Sequence, residues 1–290
     1  MENKQRSLLF KLVMCQGIGN LGRLKYLQHA LKTNTIEFCV EEIIKIAEIT
    51  TYKKNFLDSW YYWSKHEKIL KFYEQNCSFF TILDSIYPQL LKEIYNPPAL
   101  LFYKGDLQLL HRKKLAMVGA RQMTIYGKQV IEQFVPSLIN EGFTIVSGLA
   151  KGVDSYVHQM AINCQGKTIA VIGNGLDYFY PKDSEWLQKK LEKDQLILSE
   201  YPADSGPKKF HFPARNRIIA GLTLGTCVIE AKKQSGSLIT AQAAMEYGRE
   251  VFAIPDSIFH SNSIGCHALI QDGAKCTVSV QDILEELVIY

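Results

Sequence analysis

Short apolar runs alternate with amphipathic helical patterns along the second half of the chain. The runs that have strand length and β-branched character are 115–119, 143–147, 168–173, 195–200, 226–230 and 250–254. Apolar positions at helical spacing fill 125–141, 154–164, 183–193, 214–222 and 237–247. Strands that are apolar on both faces and alternate with helices are typical of a parallel sheet that is covered on both sides. The pattern therefore predicts an α/β, doubly wound fold.

The first 70 residues have a helical pattern only. Leucines recur at helical spacing in two segments, and two further helices are predicted around 40–49 and 55–75. Strand-like runs at 78–83 and 100–103 then begin the α/β part, so the sequence predicts a small all-α domain at 1–72 and a larger domain at 73–290. The glycine turn Gly17-Ile18-Gly19 joins the first two helices. It resembles a helix-hairpin-helix element that holds a DNA phosphate on backbone amides, and a purely structural hairpin is the alternative.

Small residues beside a cation follow most of the predicted strands. In a doubly wound sheet the ligand binds at the carboxyl ends of the strands, so these positions indicate where the site lies. Small residues let backbone amides approach a phosphate closely, and the cation supplies charge. The cations in these positions are Arg121, Lys151, Lys182, Lys232 and Lys233.

The segment 205–217 has the most distinctive chemistry in the chain. It contains no carboxylate, two aromatic residues (Phe210 and Phe212) and the cations Lys208, Lys209, Arg215 and Arg217. A small-residue turn, 235–237, follows the next strand and leads into a helix. Cations for phosphates, aromatic faces for stacking and free amides at a helix start together indicate a site for a single nucleic-acid strand.

Overall composition limits the classes of protein and ligand. A formal net charge of +4 over 290 residues is small, so affinity for nucleic acid must come from local clustering of charge. Seven cysteines without a CxxC pair argue against a disulfide framework and a zinc ribbon. No stretch approaches the roughly 18 apolar residues of a membrane span, and the N-terminus lacks the features of a signal peptide. The sequence therefore predicts a cytoplasmic protein without membrane segments.

Only a few residues could indicate a cofactor site or a catalytic site. Gly173-Asn174-Gly175 does not continue into a dinucleotide fingerprint, so no nicotinamide or flavin cofactor is expected. Asp154 and His158 share one helix face, which is compatible with acid–base chemistry but also with a helix cap above a packed histidine. Glu230 could be a base, or a partner for one of the nearby arginines. Structural roles are favoured for all three, no catalytic residue is predicted, and no histidine spacing indicates a metal site.

Several motifs occur in one order across residues 115–275: VGAR, SGLAKGVDSYVH, VIGNGLDYFYP, SEYP, FHFPARNRIIAGL, VIEAKKQSGSLITA, GREVFAIP and GCHALIQDGA. Together they resemble the bacterial DNA-processing protein A family, DprA, also called Smf. The resemblance implies an extended Rossmann-like domain without a nucleotide cofactor, preceded by helices similar to a sterile-alpha-motif (SAM-like) domain. It implies a homodimer that binds single-stranded DNA during natural transformation, protects the incoming strand and loads the recombinase RecA on it.

Carried over by motif, the resemblance implies a set of single-stranded-DNA-binding residues: Arg121, Ser147, Gly148, Lys151, Lys209, Phe212, Arg215, Asn216, Arg217, Ser235, Gly236 and Ser237. The chain departs from the family at Ala120, where serine is usual, and at Asp256, where glycine is usual, so the loop 255–265 is expected to be arranged differently. The apolar residues in 260–290 suggest this segment as the recombinase-facing surface.

Two other functions stay open at this point. One is a nucleotide or nucleoside-monophosphate hydrolase on a similar sheet, with Glu230 near a ribose and the 235–237 turn on the phosphate. The other is an interaction module in which the N-terminal helices carry the function. A non-enzymatic single-strand binder with little base preference is the favoured prediction, because stacking and charge do not read base edges.

Overall fold

A computed structural model describes residues 2–35 and 38–287. The described residues form one nine-stranded sheet. Its strands are β1 Phe79–Thr81, β2 Leu100–Gly105, β3 Lys114–Val118, β4 Thr144–Ser147, β5 Lys167–Ile172, β6 Leu196–Ser199, β7 Gly225–Val228, β8 Glu250–Ala253 and β9 Lys275–Cys276. Their order is β1-β2-β6-β5-β4-β3-β7-β8-β9.

Strands β3 to β9 are parallel, and β1 and β2 form an antiparallel edge beside β6. Each predicted strand run is present, and β9 is an addition that the sequence pattern did not reveal. The chain winds outward from β3 through β4 to β6, and then returns to the other side of β3 for β7 to β9. The predicted doubly wound α/β architecture is confirmed.

Helices cover both faces of the sheet. The helices after the N-terminal segment are α6 Gln89–Lys92, α7 Ile125–Asn140, α8 Val153–Asn163, α9 Glu185–Asp194, α10 His211–Leu222, α11 Gly236–Glu246, α12 Ile264–Gln271 and α13 Gln281–Leu287. One core cluster joins α6, α10, α11 and α12 to alternate strand residues, and α7, α8 and α13 pack on the opposite face. Side chains that alternate along each strand explain why both faces are apolar.

The described residues of the N-terminal segment form five helices rather than the four predicted. They are α1 Glu2–Met14, α2 Asn20–Thr33, α3 Val40–Ile46, α4 Lys53–Lys65 and α5 Glu67–Asn76. The predicted helix 55–75 is divided at His66, which ends α4 and precedes α5. In the turn before α2, Gly17 has a φ of +79°, and a Cβ there would lie 2.5 Å from the Tyr52 carbonyl oxygen. The left-handed backbone and the close packing both explain a glycine at this position.

The N-terminal helices share a core with the sheet. Phe10 and Val13 of α1 and Leu70 of α5 belong to the same buried cluster as Phe102 of β2. The Asn20 side chain also bonds to the Pro97 carbonyl oxygen at 2.7 Å. The division at 72/73 stays a prediction, and the helical segment runs on to Asn76. No helix among the described residues has the length and apolar character needed to cross a bilayer.

Strand β3 is the point at which the strand order reverses, with β4 on one side and β7 on the other. The loops that leave β3 and β7 therefore run to opposite sides and open a crevice above the sheet. In open α/β sheets this crevice is the usual ligand site.

Candidate nucleic-acid interface

A crevice of about 760 Å³ lies at the carboxyl ends of the central strands. Its walls come from the loops after β3, β4, β5 and β7 and from the first turns of α10 and α11. The predicted residues that line it are Arg121, Lys209, Phe212, Arg215, Asn216, Ser235, Gly236 and Ser237. A smaller cavity of about 180 Å³ adjoins it and is lined by Gly148 and Lys151. Most of the predicted residues thus come together at one site.

Four exposed cations surround the two cavities, namely Arg121, Lys151, Lys209 and Lys232. In the described part of the chain, none of the four forms an ion pair with a carboxylate. The acidic side chain in the lining is Asp154, and burial raises the pKa of its carboxyl group while the nearby Arg215 opposes that shift. The arrangement leaves positive charge available for an anion.

The start of α11 forms one side of the crevice. Ser235 caps this helix, and its side-chain oxygen accepts a hydrogen bond from the Ser237 amide at 3.4 Å. The Asn216 side-chain amide donates to the Gly236 carbonyl oxygen at 3.1 Å, which fixes the turn against α10. A helix N-terminus combines unpaired amides with the positive end of the helix dipole, so this turn is suited to a phosphate.

An aromatic ring stands at the start of α10. Phe212 is half-buried, and its ring centroid lies 5.5 Å from that of Tyr180, which is 41% exposed. The preceding residue, His211, is buried, hydrogen-bonds to the Gly173 carbonyl oxygen at 3.0 Å and stacks on Tyr201. Phe212 is therefore held in the lining of the crevice, where its ring is suited to stacking with a base.

Arg215 lies on the floor of the crevice and is engaged within the protein. Its guanidinium donates to the carbonyl oxygens of Gly148 and Val171, and its Nε donates to the Asn216 side chain at 3.1 Å. Only 5% of the residue is exposed. Arg215 ties α10 to the ends of β4 and β5, and it contributes positive potential from below.

Ser147 and Arg217 do not reach the crevice lining. The Ser147 hydroxyl is buried and donates to the Met117 carbonyl oxygen at 2.7 Å. The Arg217 guanidinium makes a two-pronged ion pair with Glu200, at 2.6 and 3.0 Å, and its Nε donates to the Asn96 carbonyl oxygen. Their placement gives both residues structural partners, in contrast to the expectation that they contact DNA.

The predicted set of DNA-binding residues did not include several other lining residues, among them Gln122, Tyr180, Gln234, Ile239, Thr240 and Lys232. Lys232 and the Tyr180 loop carried a usable signal, because both follow strands whose carboxyl ends meet at the crevice. The apolar surplus noted in 260–290 is mostly core: Leu269, Ile283 and Leu287 are each less than 9% exposed. Residues 288–290 lie outside the described residues.

Among the described residues, Glu230 forms no ion pair with an arginine. Its two carboxylate oxygens accept hydrogen bonds from the backbone amide, at 3.0 Å, and the hydroxyl of Thr124, which caps α7. A Cβ on Gly127 would lie 2.6 Å from this carboxylate, so the helix start packs directly on it. The prediction of an Arg215 or Arg217 partner was wrong, and Glu230 is only 3% exposed.

His158 is buried as a neutral side chain. Because the Thr168 hydroxyl donates to the Ile145 carbonyl oxygen, it accepts a hydrogen bond from Nδ1 of His158 at 2.6 Å. Burial, with a smaller effect of the Arg215 charge, lowers the pKa of the imidazole to about 3. A base that titrates there is poorly matched to acid–base chemistry near neutral pH.

His158 therefore makes folding stability depend on pH. Below a pKa of about 6.5 the unfolded chain binds a proton at His158, whereas the folded chain binds none until about pH 3. Stability conferred by the neutral form is lost as the pH falls through this window. Between pH 6.5 and 4.5 we expect the wild type to lose about 2 to 3 kcal/mol more than His158→Gln, as measured by urea unfolding. Identical pH dependence in the two proteins would contradict a neutral buried His158.

Comparisons with known proteins identify the family of this chain. The family model described as DNA recombination-mediator protein A matches residues 78–288. The chain is 56% identical to the DNA processing protein DprA of Streptococcus pneumoniae over 207 residues, which are 71% of this chain and 73% of that protein. It is 42% identical to DprA of Bacillus subtilis over 260 residues, covering 89% and 86% of the two chains.

Two solved structures share the fold. The X-ray structure of DprA from Streptococcus pneumoniae matches with a TM-score of 0.88 and 45% identity, covering 98% of this chain and 97% of that one. A structure of DNA processing protein A from Helicobacter pylori, whose subject is its single-stranded DNA binding mode, matches with a TM-score of 0.65 and 31% identity, covering 74% and 97%. The chain belongs to the DNA recombination-mediator protein A family, which is the DprA family that its sequence motifs indicate.

Proposed function

We propose that the protein binds single-stranded DNA in the crevice above β3 and β7, without catalysing a reaction on it. The observation that carries this proposal is a grouping around the crevice and the adjoining smaller cavity. It consists of four exposed cations that have no ion pair among the described residues, a half-buried aromatic ring and a helix N-terminus. The cations and the α11 amides would hold phosphates, and Phe212 would stack on a base. The Helicobacter pylori relative, which is titled for its single-stranded DNA binding mode, supports the same ligand.

The residues proposed from the sequence would have different roles in binding. Arg121, Lys151 and Lys209 would bind phosphates directly. Lys232, a strand-end cation that is not in the set implied by the family resemblance, would join them. Gly148, Arg215 and Asn216 would shape the floor, and residues 235–237 would supply amides. Ser147 and Arg217 have structural partners and are left out of the proposed contact set.

The hydrolase alternative has less support. It requires Glu230 to reach a ribose, but this carboxylate is 3% exposed and accepts two hydrogen bonds from Thr124. A buried carboxylate engaged in capping a helix is not available as a base. The N-terminal interaction module is compatible with single-strand binding by the crevice and does not compete with it.

Single-strand binding can be tested by fluorescence anisotropy with labelled oligo-dT and a duplex of equal length. Four phosphate contacts predict that log K falls with log salt concentration with a slope of up to about −3, since each contact on a single strand contributes roughly −0.7. We expect the duplex to bind more weakly at every salt concentration. Equal affinity for both ligands, an affinity that does not change with salt, or release of free base from nucleotides would contradict the proposal.

We also propose that the protein works in natural transformation in the cytoplasm, as a homodimer that protects the incoming strand and loads RecA on it. Family membership supports this role. One crevice holds only a few nucleotides, so two crevices on one strand would raise the affinity without new contacts. Ile258 and Phe259, which are 75% and 88% exposed, form an apolar pair that would suit an assembly contact.

A further inference from the structure

Helices α4 and α5 of the N-terminal segment expose a group of large side chains. Five of them are between 44% and 62% exposed, namely Tyr61, Tyr62, Ile69, Phe72 and Tyr73. Single exposed apolar residues are common on protein surfaces, but a contiguous group marks an interaction site. We call these five residues the α4/α5 face.

The aromatic rings of the α4/α5 face form a row that crosses from one helix to the other. The ring centroid of Tyr62 lies 5.1 Å from that of the half-buried Trp63, which lies 6.3 Å from that of Tyr73. The rings of Tyr73 and Phe72 are also 6.3 Å apart. Trp63 is held by a hydrogen bond from its Nε1 to the Met14 carbonyl oxygen at 3.1 Å. The middle of the row is therefore fixed, and its outer rings are open to a ligand.

Cations are interleaved with these rings. Lys65, Lys68 and Lys71 are exposed and lie three residues apart, and the segment 61–73 contains one carboxylate, Glu67. Among the described residues, none of the three lysines forms an ion pair. Interfaces between proteins are depleted in lysine, whereas surfaces for single-stranded nucleic acid combine aromatic faces with cations. The composition therefore favours a single-stranded polyanion over a protein.

The end of α5 lies beside the loop after β5, which borders the crevice. Leu70 of α5 and Leu176 of this loop belong to the same buried cluster. Burial raises the pKa of the Cys77 thiol, directly after α5, and the nearby charge of Asp177 raises it further. Asp177 is only three residues before Tyr180, which lines the crevice. A strand that leaves the crevice over this loop would therefore reach α5.

We propose that the α4/α5 face is a second contact site for the strand held in the crevice. The inference rests on the proposed function and deepens it. Bases beyond the crevice stack on Tyr62, Phe72 and Tyr73, and the three lysines bind the phosphates between them. Tyr178, which is 46% exposed and belongs to the loop after β5, offers a further ring between the two sites.

A second contact acts only on a strand that is long enough to reach it. The crevice holds a few nucleotides, so the shortest oligo-dT that binds there does not sense the α4/α5 face. A longer strand that is already held in the crevice presents its free end to the face at a high effective concentration. The affinity of the wild type should therefore rise with oligonucleotide length.

The test measures fluorescence anisotropy with a series of oligo-dT lengths that starts at the shortest one that binds. Phe72→Ala removes one stacking face and should weaken binding of the long oligonucleotides by about 5- to 150-fold, while the shortest one binds unchanged. Tyr95→Ala is the matched control. Tyr95 is 84% exposed and follows α6, which packs on the other face of the sheet, so its removal should have no effect at any length.

A salt titration tests the lysines separately. Lys68→Ala should reduce the slope of log K against log salt concentration by about 0.7 for a long oligonucleotide, and should leave the slope of the shortest one unchanged. Lys92→Ala removes an exposed lysine of α6 and is the control for charge. Equal slopes for Lys68→Ala and Lys92→Ala at every length would contradict a phosphate contact at Lys68.

The outcomes separate this site from the crevice. If folded Phe72→Ala, checked by thermal unfolding, bound long oligo-dT as the wild type does, the second site would be overturned in favour of a protein partner for this face. An equal loss at all lengths, or a wild-type affinity that does not rise with length, would also overturn it. Bridging of two protomers by a long strand raises the affinity of Phe72→Ala and Tyr95→Ala alike, so it does not imitate the expected difference. In all these cases salt-dependent binding leaves the proposed function intact, whereas failure of oligo-dT to bind at all would contradict the proposed function itself.

Discussion

Replacing Arg121 with alanine is expected to weaken binding of oligo-dT by about 10- to 150-fold. Arg121 follows the central strand β3 and lines both the crevice and the smaller cavity. In the described part of the chain it forms no ion pair with a carboxylate. Hydrogen bonds that involve a charged group contribute about 1.5 to 3 kcal/mol, which gives this range. The exposed position predicts an unchanged circular dichroism spectrum.

Arg112→Ala is a matched control for Arg121→Ala. Arg112 precedes β3 and is also exposed, but it lies at the opposite end of the strand, where its Nη2 approaches the Gly142 carbonyl oxygen at 3.5 Å. We expect its removal to leave the affinity nearly unchanged. In a salt titration, Arg121→Ala should also reduce the slope by about 0.7, corresponding to one lost phosphate contact. An equal loss in both variants would show that only the net charge matters.

The fold could be predicted because it follows from the periodicity of apolar residues along the chain. Strands buried on both faces must be continuous in apolar residues, as in 168–173, and the helices between them must be amphipathic. Short elements carry too little pattern to be recognised, and β9, Lys275–Cys276, has only two residues. Helix α10 begins at His211 rather than at 214. Pro213 lies in the first turn of this helix, where backbone amides have no intrahelical acceptor, so its missing N–H does not disrupt the helix.

The start of α10 explains why the site was only partly predictable. If the whole segment 205–217 were a loop, all its cations could contact the same ligand. In a helix, Arg215 and Arg217 are two residues apart and point about 200° away from each other. Arg215 therefore reaches the crevice floor while Arg217 reaches Glu200. Arg121 and the 235–237 turn could be predicted because ligands bind at the carboxyl ends of the strands. Their position follows from the strand ends and does not depend on which side of a helix a residue faces.

Arg217 and Glu200 form a buried ion pair, so removing one partner is expected to be strongly destabilising. Their side chains are 11% and 8% exposed, and two hydrogen bonds join them. The Arg217 guanidinium also donates to the carbonyl oxygens of Asn96 and Ala214. Arg217→Ala leaves the Glu200 carboxylate buried without its partner, which is expected to reduce the free energy of unfolding by about 3 to 5 kcal/mol.

Denaturant unfolding of three variants tests this structural role against DNA contact. Lys189→Ala breaks an exposed pair with Glu185 on α9 and should change stability by no more than about 0.5 kcal/mol. Changing both partners, as Arg217→Met with Glu200→Gln, should recover part of the loss, because no uncompensated charge then stays buried. If folded Arg217→Ala kept wild-type stability but lost affinity for oligo-dT as Arg121→Ala does, Arg217 would be a DNA contact. We instead expect the stability loss, with much of the affinity retained under conditions where the variant is folded.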